Sequence, residues 1–314
     1  MLLVPEVIAL MLLNLIFLVF GFIAFITSLK IVFKWDINQT TQTQYNLEKQ
    51  SYLASVIIKY IFILKLPLIL FFIFTLDKLS VVIPGAMCAA GVVNATVYGN
   101  YLIVLKIINI YIFGFWLKLH SLDISFPSLP YTKLKFSIYS VAFFLLIGEI
   151  VLEFIMFKSI DPTLLVDCCG TLYSSGASSY ISYLFLLSPS TVAGIFYISY
   201  LAILVVYFLK QKELFAIVNF IYLIVSIISL ILVFGTYIYE LPTHHCPFCF
   251  LQKDYYYVGY LIYTLLFVGT FNGIISGFIK EKSLYKTSLI FNTLYLILVS
   301  LYPIVYYYTN RVWL

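Results

Sequence analysis

Residues 214–238 read L-F-A-I-V-N-F-I-Y-L-I-V-S-I-I-S-L-I-L-V-F-G-T-Y-I and contain no charged side chain. A helix needs about 20 mostly apolar residues to cross the hydrocarbon core of a bilayer. The stretch exceeds that length and therefore predicts a membrane-spanning helix. The whole chain has the same character, since 63% of its residues are hydrophobic and only 10% are charged, against roughly 25% charged residues in soluble domains. The composition thus predicts a polytopic membrane protein.

Further apolar stretches of this kind predict an all-α transmembrane bundle of about eight spans, in one integral membrane domain over residues 1–314. The predicted spans are approximately 7–29, 53–75, 98–119, 136–158, 190–209, 214–238, 256–279 and 287–308. Residues 79–97 are also apolar, but they contain Pro84, Gly85 and Gly91, which favour an interfacial or re-entrant segment over a ninth span. The first basic residue, Lys30, follows the first apolar run, so we expect a retained helix rather than a cleaved signal.

Basic residues are unevenly divided between alternate connections, eleven in one set and four in the other. The rich set is Lys30, Lys34, Lys49, Lys118, Lys133, Lys135, Lys210, Lys212, Lys280, Lys282 and Lys286. The poor set is Lys78, Lys158, Lys253 and Arg311. Because basic connections stay on the cytoplasmic side, both termini are predicted to lie outside. All five cysteines then face the outer side, which in a bacterial inner membrane is the oxidising periplasmic side.

Directly after the quoted span, residues 240–257 read E-L-P-T-H-H-C-P-F-C-F-L-Q-K-D-Y-Y-Y. Proline is favoured in the first helical turn, so Cys246 and Cys249 are predicted to begin span seven, where the helix dipole favours a reactive thiolate. Helical spacing predicts one stripe formed by Cys246, Cys249, Lys253, Tyr256, Tyr257 and Tyr260. His244 and His245 are candidate proton carriers or metal ligands. The alternative to a reactive dithiol is that Cys246 and Cys249 form a structural disulfide or belong to a zinc-type loop that caps the helix.

The segment C-P-F-C-F-L-Q-K, residues 246–253, resembles the Cys-x-x-Cys-x-x-Gln-Arg segment of the DsbB family, with Lys253 in place of arginine. Those membrane proteins oxidise a soluble thiol partner and pass the electrons to a quinone. The related vitamin K epoxide reductase family also places a Cys-x-x-Cys at a helix end and a second cysteine pair in an outer loop. The resemblance implies that Cys246 and Cys249 are the quinone-proximal pair, with Lys253 beside it. It also implies that Cys168 and Cys169 exchange with a periplasmic thiol protein.

The same loops also admit a soft-metal interpretation. A disulfide between the adjacent Cys168 and Cys169 would be strained and labile, so each can instead pair elsewhere, or both can bind one ion. Met87 and Cys88 are neighbouring soft donors, for which simple packing is the alternative. Thiolate and thioether groups favour copper, and thiolate with imidazole also suits zinc. The candidate ligands are Met87, Cys88, Cys168, Cys169, His244, His245, Cys246 and Cys249.

Four ionisable residues lie inside predicted spans, where a charge is costly: Lys65, Lys106, Glu149 and Glu153. We predict that they pair, Lys106 with Glu149 or Lys65 with a glutamate. The alternative is a proton path or a substrate pocket that leads to the outer face.

Three functions are consistent with these patterns. The first is an inner-membrane thiol–disulfide redox protein, in which a histidine handles protons and Lys253, Tyr256 and Tyr257 shape a quinone pocket. The second is a copper-handling protein at the outer face. The third is a structural subunit of a larger membrane complex, with disulfides as staples. No basic cluster exceeds three residues, which argues against a nucleic-acid partner.

Overall fold

The computed structural model describes residues 1–36, 39, 41–167, 173, 180–279 and 281–314. These residues form nine α-helices and contain no β-strand. The helices are α1 Pro5–Lys34, α2 Gln42–Ser80, α3 Ala89–Asn94, α4 Tyr98–Asp123, α5 Thr132–Ser159, α6 Pro189–Leu209, α7 Lys212–Tyr239, α8 Val258–Ile275 and α9 Lys282–Asn310. Three short 3-10 helices lie at Tyr180–Leu186, Cys249–Leu251 and Lys253–Tyr255.

Every helix in this set except α3 is long and apolar enough to cross a membrane. The prediction of a polytopic helical bundle with eight spans is therefore confirmed, and the protein is an integral membrane protein. A helix suits this environment because it satisfies its backbone hydrogen bonds within the segment. With only six residues, α3 is too short to span, so residues 79–97 do not add a ninth crossing, as predicted. The largest error concerns predicted span 53–75, because α2 starts at Gln42, eleven residues earlier, and ends at Ser80.

The sequence predicts one integral membrane domain, and the described helices group into two compact units. The first comprises Met1–Leu76 and Val93–Thr163, and the second comprises Asp77–Val92 and Leu164–Leu314. In the first unit, α1 and α4 both pack on α5, and Phe62 stacks on Phe113 with ring centroids 4.2 Å apart. In the second unit, α6 packs on α7, α7 on α8, and α8 on α9.

Helix α7 contains a π-helical turn at Leu230–Phe234, close to its end. A Cβ atom on the next residue, Gly235, would lie 2.7 Å from the carbonyl oxygen of Leu230, so glycine lets the backbone close this wider turn. Such turns are often found near functional sites because they change the hydrogen-bond register of the helix. Here the turn lies just before the cysteine-containing loop.

The predicted ion pairs form in the first unit. The ammonium group of Lys106 lies 2.8 Å from Glu149 and 2.6 Å from Glu153, and that of Lys65 lies 3.0 Å from Glu149. All four side chains are almost completely buried. Two positive charges thus meet two negative charges, which is the arrangement that makes buried ions tolerable.

Two asparagines extend this network to all four long helices of the unit. Asn14 of α1 accepts a hydrogen bond from Lys65 at 2.8 Å and donates one to Glu153 at 3.0 Å. Asn109 of α4 donates to Glu149 at 2.6 Å. Since α1, α2, α4 and α5 each contribute a member, the network disfavours any shift of one helix along the others.

Small residues organise the second unit. A Cβ atom on Gly269 would lie 2.1 Å from Oδ1 of Asn292, and one on Gly273 would lie 2.2 Å from Cγ of Asn219. The amide of Asn292 donates to Oδ1 of Asn219 at 2.8 Å. Two glycines one turn apart on α8 therefore make room for an asparagine bridge between α7 and α9, as in small-xxx-small contacts of membrane helices.

We expect Glu149→Gln to destabilise the protein, because two buried ammonium groups lose the carboxylate that they share. Breaking a buried pair from one side costs about 3 kcal/mol, which should lower the thermal unfolding midpoint of the detergent-solubilised protein by several degrees. The matched control is Glu213→Gln, at an exposed position in the first turn of α7. Equal midpoints for the two variants would contradict this account of the network.

We expect Gly273→Leu to destabilise the second unit, because the new side chain would overlap Asn219. Overpacking of this kind costs about 1–3 kcal/mol and should again lower the midpoint. The control is Gly194→Leu, since a Cβ atom at Gly194 meets nothing within 4 Å. If both variants unfold at the wild-type temperature, the close helix contact at Gly273 contributes nothing measurable to the stability of the protein.

Candidate functional site

Three cysteine thiols converge in the second unit. The Sγ atoms of Cys88 and Cys246 lie 3.6 Å apart, and the Sγ atoms of Cys88, Cys246 and Cys249 all lie within 4.8 Å of one another. The three residues are 0%, 1% and 4% exposed, respectively. A disulfide bond measures about 2.05 Å, so the 3.6 Å separation is a non-covalent contact between two sulfurs. We call this group the three-thiol cluster.

The predicted stripe on span seven is wrong. Cys249 lies in the 3-10 helix Cys249–Leu251, and α8 begins only at Val258. Gln252 is extended, and Tyr256 and Tyr257 have φ of 52° and 56°. Two consecutive left-handed residues cannot continue a right-handed helix. The first turn of α8 is therefore not the turn that carries the cysteines.

A local turn supplies a different stabilising contact for Cys246. The backbone N–H of Phe248 donates to Sγ of Cys246 at 3.5 Å, and that of Gln252 donates to the carbonyl of Cys249 at 2.9 Å. An N–H donor directed at sulfur favours the thiolate over the thiol. The turn thus does for Cys246 what the predicted helix dipole would have done.

Two tyrosines that the sequence analysis did not single out hold this turn in place. The buried hydroxyl of Tyr239 donates to the carbonyl of Cys246 and accepts from the backbone N–H of Phe250 at 3.1 Å. The hydroxyl of Tyr263 donates to the carbonyl of Pro247 at 2.7 Å. Tyr239 directly follows predicted span 214–238, and Tyr263 lies within predicted span 256–279. Tyrosine is common in and beside membrane helices, so the sequence gives no signal that distinguishes these two.

Gln252 ties the two cysteine-bearing loops together. Its Nε2 donates to Oδ1 of Asp77 at 2.6 Å and to the carbonyl of Met87 at 3.2 Å. Asp77 lies in the last turn of α2, and Met87 directly precedes Cys88. Gln252 therefore positions Cys88 against Cys246. Its place in the Cys-x-x-Cys-x-x-Gln segment was the available signal for this role.

The two predicted histidines point to other partners. The ring of His244 packs edge-on against Tyr239, with centroids 4.3 Å apart, and its Nε2 finds no hydrogen-bond partner among the described residues. Nδ1 of His245 lies 2.9 Å from the carbonyl of Ile231, in the π turn. Burial lowers the pKa of His245 below its usual range, which keeps the ring neutral near pH 7. Neither ring nitrogen belongs to the group of atoms within 4.8 Å that the three thiols form.

The other predicted site residues either have exposed side chains or lie outside the described part of the chain. The side chains of Lys253, Tyr256 and Tyr257 are exposed, Tyr256 by 93%. Met87 is 67% exposed, so its contribution is the backbone carbonyl and not the thioether. Cys168 and Cys169 lie outside the described residues.

We expect Gln252→Leu to slow the chemical cross-linking of Cys88 to Cys246, because the substitution removes the hydrogen bonds of Gln252 to Asp77 and Met87 while keeping a similar side-chain size. Treatment with a mild oxidant, followed by mass spectrometry of the linked peptides, measures the rate, which should fall several-fold. The control is Gln50→Leu, the same substitution at an exposed position of α2. An unchanged rate in Gln252→Leu would mean that Gln252 does not position Cys88.

Comparisons of this chain with protein-family models, with curated proteins and with solved structures found no match. A functional proposal for this protein therefore depends on its own residues, and above all on the three-thiol cluster.

Proposed function

We propose that this integral membrane protein is a thiol–disulfide oxidoreductase whose redox centre is the three-thiol cluster. The observation that supports the proposal is the 3.6 Å contact between the sulfurs of Cys88 and Cys246, with Cys249 within 4.8 Å of both. Thiol–disulfide exchange needs an attacking sulfur in contact with one sulfur of the disulfide. Closing the contact to bonding distance requires a movement of about 1.5 Å, which is small for a loop.

The exchange step follows from which sulfurs touch. In the oxidised protein the disulfide joins Cys246 and Cys249. The thiolate of Cys88 attacks Sγ of Cys246, the Cys246–Cys249 bond breaks, and its electron pair leaves on Sγ of Cys249. The product is a Cys88–Cys246 disulfide and a Cys249 thiolate. In the reverse step Cys246 remains the central sulfur, and Cys88 is the leaving group.

A membrane quinone is the proposed electron acceptor, as the resemblance to the DsbB family implies. The thiols of Cys246 and Cys249 give up two electrons and two protons, and the products are their disulfide and a hydroquinone. Lys253, Tyr256 and Tyr257 lie in the turns between Cys249 and α8, and their side chains are exposed. They form the proposed surface at which a quinone ring docks.

The proposed electron donor is a periplasmic thiol protein that reacts first with Cys168 and Cys169. The backbone N–H of Val166 donates to the carbonyl of Pro84 at 3.0 Å, so the described chain before this pair is bonded to the loop that carries Cys88. The distribution of basic residues supports an outer position for both loops. The resemblance to the DsbB family implies a bacterial inner membrane as the location. Electrons would then pass from the partner to the three-thiol cluster and on to quinone.

Thiol trapping tests the proposal. The full-length protein is reduced, freed of reductant, incubated with a short-chain benzoquinone and alkylated, and the modified cysteines are identified by mass spectrometry. We expect a quinone-dependent loss of alkylation at Cys246 and Cys249. In Cys249→Ser, which cannot close that disulfide, oxidation should instead accumulate the Cys88–Cys246 bond.

The matched control is Cys88→Ser, which should keep the quinone-dependent change at Cys246 and Cys249 because their own disulfide needs no third sulfur. If quinone leaves both cysteines fully alkylated in the wild-type protein, the redox proposal is wrong. A Cys249→Ser variant that forms no Cys88–Cys246 bond would exclude Cys88 from the exchange.

A further inference from the structure

The spacing of the three sulfurs also matches the donor set of a metal centre. Zinc–thiolate bonds measure about 2.3 Å, so two sulfurs on one tetrahedral ion lie about 3.8 Å apart. The shortest separation in the cluster is 3.6 Å, and none exceeds 4.8 Å. Small side-chain movements would therefore place all three sulfurs around one ion.

The donor chemistry selects the class of ion. The ligand atoms in the group are sulfurs only, and carboxylate and imidazole atoms are not among them. Sulfur donors select soft or borderline ions such as copper(I) and zinc(II), whereas magnesium and calcium prefer oxygen. The exposed thioether of Met87 and the two histidines, which bond or pack elsewhere, are not needed.

We propose that the reduced three-thiol cluster binds one thiophilic closed-shell ion, copper(I) or zinc(II), through the Sγ atoms of Cys88, Cys246 and Cys249. Each thiol that becomes a ligand releases its proton. Three thiolates carry three negative charges, so zinc(II) leaves one uncompensated charge in the buried site and copper(I) leaves two. The N–H of Phe248, which donates to Sγ of Cys246, offsets part of that charge. The geometry accommodates either ion, while the charge balance favours zinc(II).

Gln252 and the two tyrosines give this site a supporting shell. Gln252 fixes the loop of Cys88, and Tyr239 and Tyr263 fix the turn of Cys246 through its carbonyl and that of Pro247. Such outer contacts typically change metal affinity 10–100-fold. The ligands come from two loops 158 residues apart, so an ion bound here would link those loops directly.

Ion binding and thiol exchange are separate properties of the same sulfurs. A disulfide between any two of the cysteines removes two ligands, so only the reduced protein should bind the ion. Binding does not require a quinone or a partner protein, and it can therefore succeed where the redox proposal fails. Conversely, thiol exchange can occur in a protein that binds no ion.

Metal titration of the reduced, full-length protein tests the inference. Cadmium(II) serves as a probe for zinc(II), because its thiolate complexes absorb in the ultraviolet and report the number of bound sulfurs. A second titration uses copper(I) in competition with a chromogenic chelator. We expect about one tightly bound ion per chain with three thiolate ligands. Chemical oxidation of the protein before titration should abolish binding.

Single serine variants of Cys88, Cys246 and Cys249 should each weaken binding at least about tenfold. Met87→Leu, which alters only an exposed thioether beside Cys88, should bind as the wild type does. The thermal midpoint of each variant without metal establishes that it is folded. Undiminished binding in the Cys88→Ser variant, or no binding by wild-type protein whose three thiols are all alkylatable, would overturn the inference. If the protein binds cadmium(II) more tightly than copper(I), the ion of this site is divalent. If it binds copper(I) more tightly, the ion is monovalent.

Discussion

In the hydrocarbon core of a membrane every peptide N–H and C=O must find a partner within the protein. Apart from the internal prolines Pro67 and Pro303, the eight long helices of the described residues meet that constraint within each segment. The irregular backbone that the structure describes lies in the connections. In the loops of residues 81–92 and 240–257, side chains supply the missing partners. Gln252, Tyr239 and Tyr263 all bond backbone carbonyls there. The contact from Gln252 to Met87 also joins the two loops that carry the cysteines.

Polar side chains inside the helices follow the same constraint. In the first unit, the charges of two lysines and two glutamates balance, and each helix of the four contributes a polar group. In the second unit, Gly269 and Gly273 open the space in which Asn219 and Asn292 bond each other. A paired charge and a bridged amide are two ways to avoid leaving a polar group alone in an apolar environment. Both also fix the helices in one register.

Burial gives the three-thiol cluster its particular chemistry. The three sulfurs are almost completely buried, so bulk reagents have little access to them. Cys246 also accepts a hydrogen bond from the backbone N–H of Phe248. Cys246 is also the sulfur in contact with Cys88. It therefore takes part in both disulfides of the proposed exchange step, and it is one of the three ligands of the proposed metal centre.

The number of spans could be predicted from the length and hydropathy of each segment. That the buried charges pair could be predicted from the cost of an unpaired ion in an apolar environment. The sequence also located Cys246, Cys249 and Gln252 in one motif. It did not predict that Tyr256 and Tyr257 would break the helix with positive φ. It named Cys88 among eight candidate ligands, but it did not indicate that this cysteine, 158 residues from Cys246, would be the one to meet the Cys-x-x-Cys pair. Those outcomes were decided by the tertiary structure, since the partners of an irregular loop come from distant segments that no local pattern encodes.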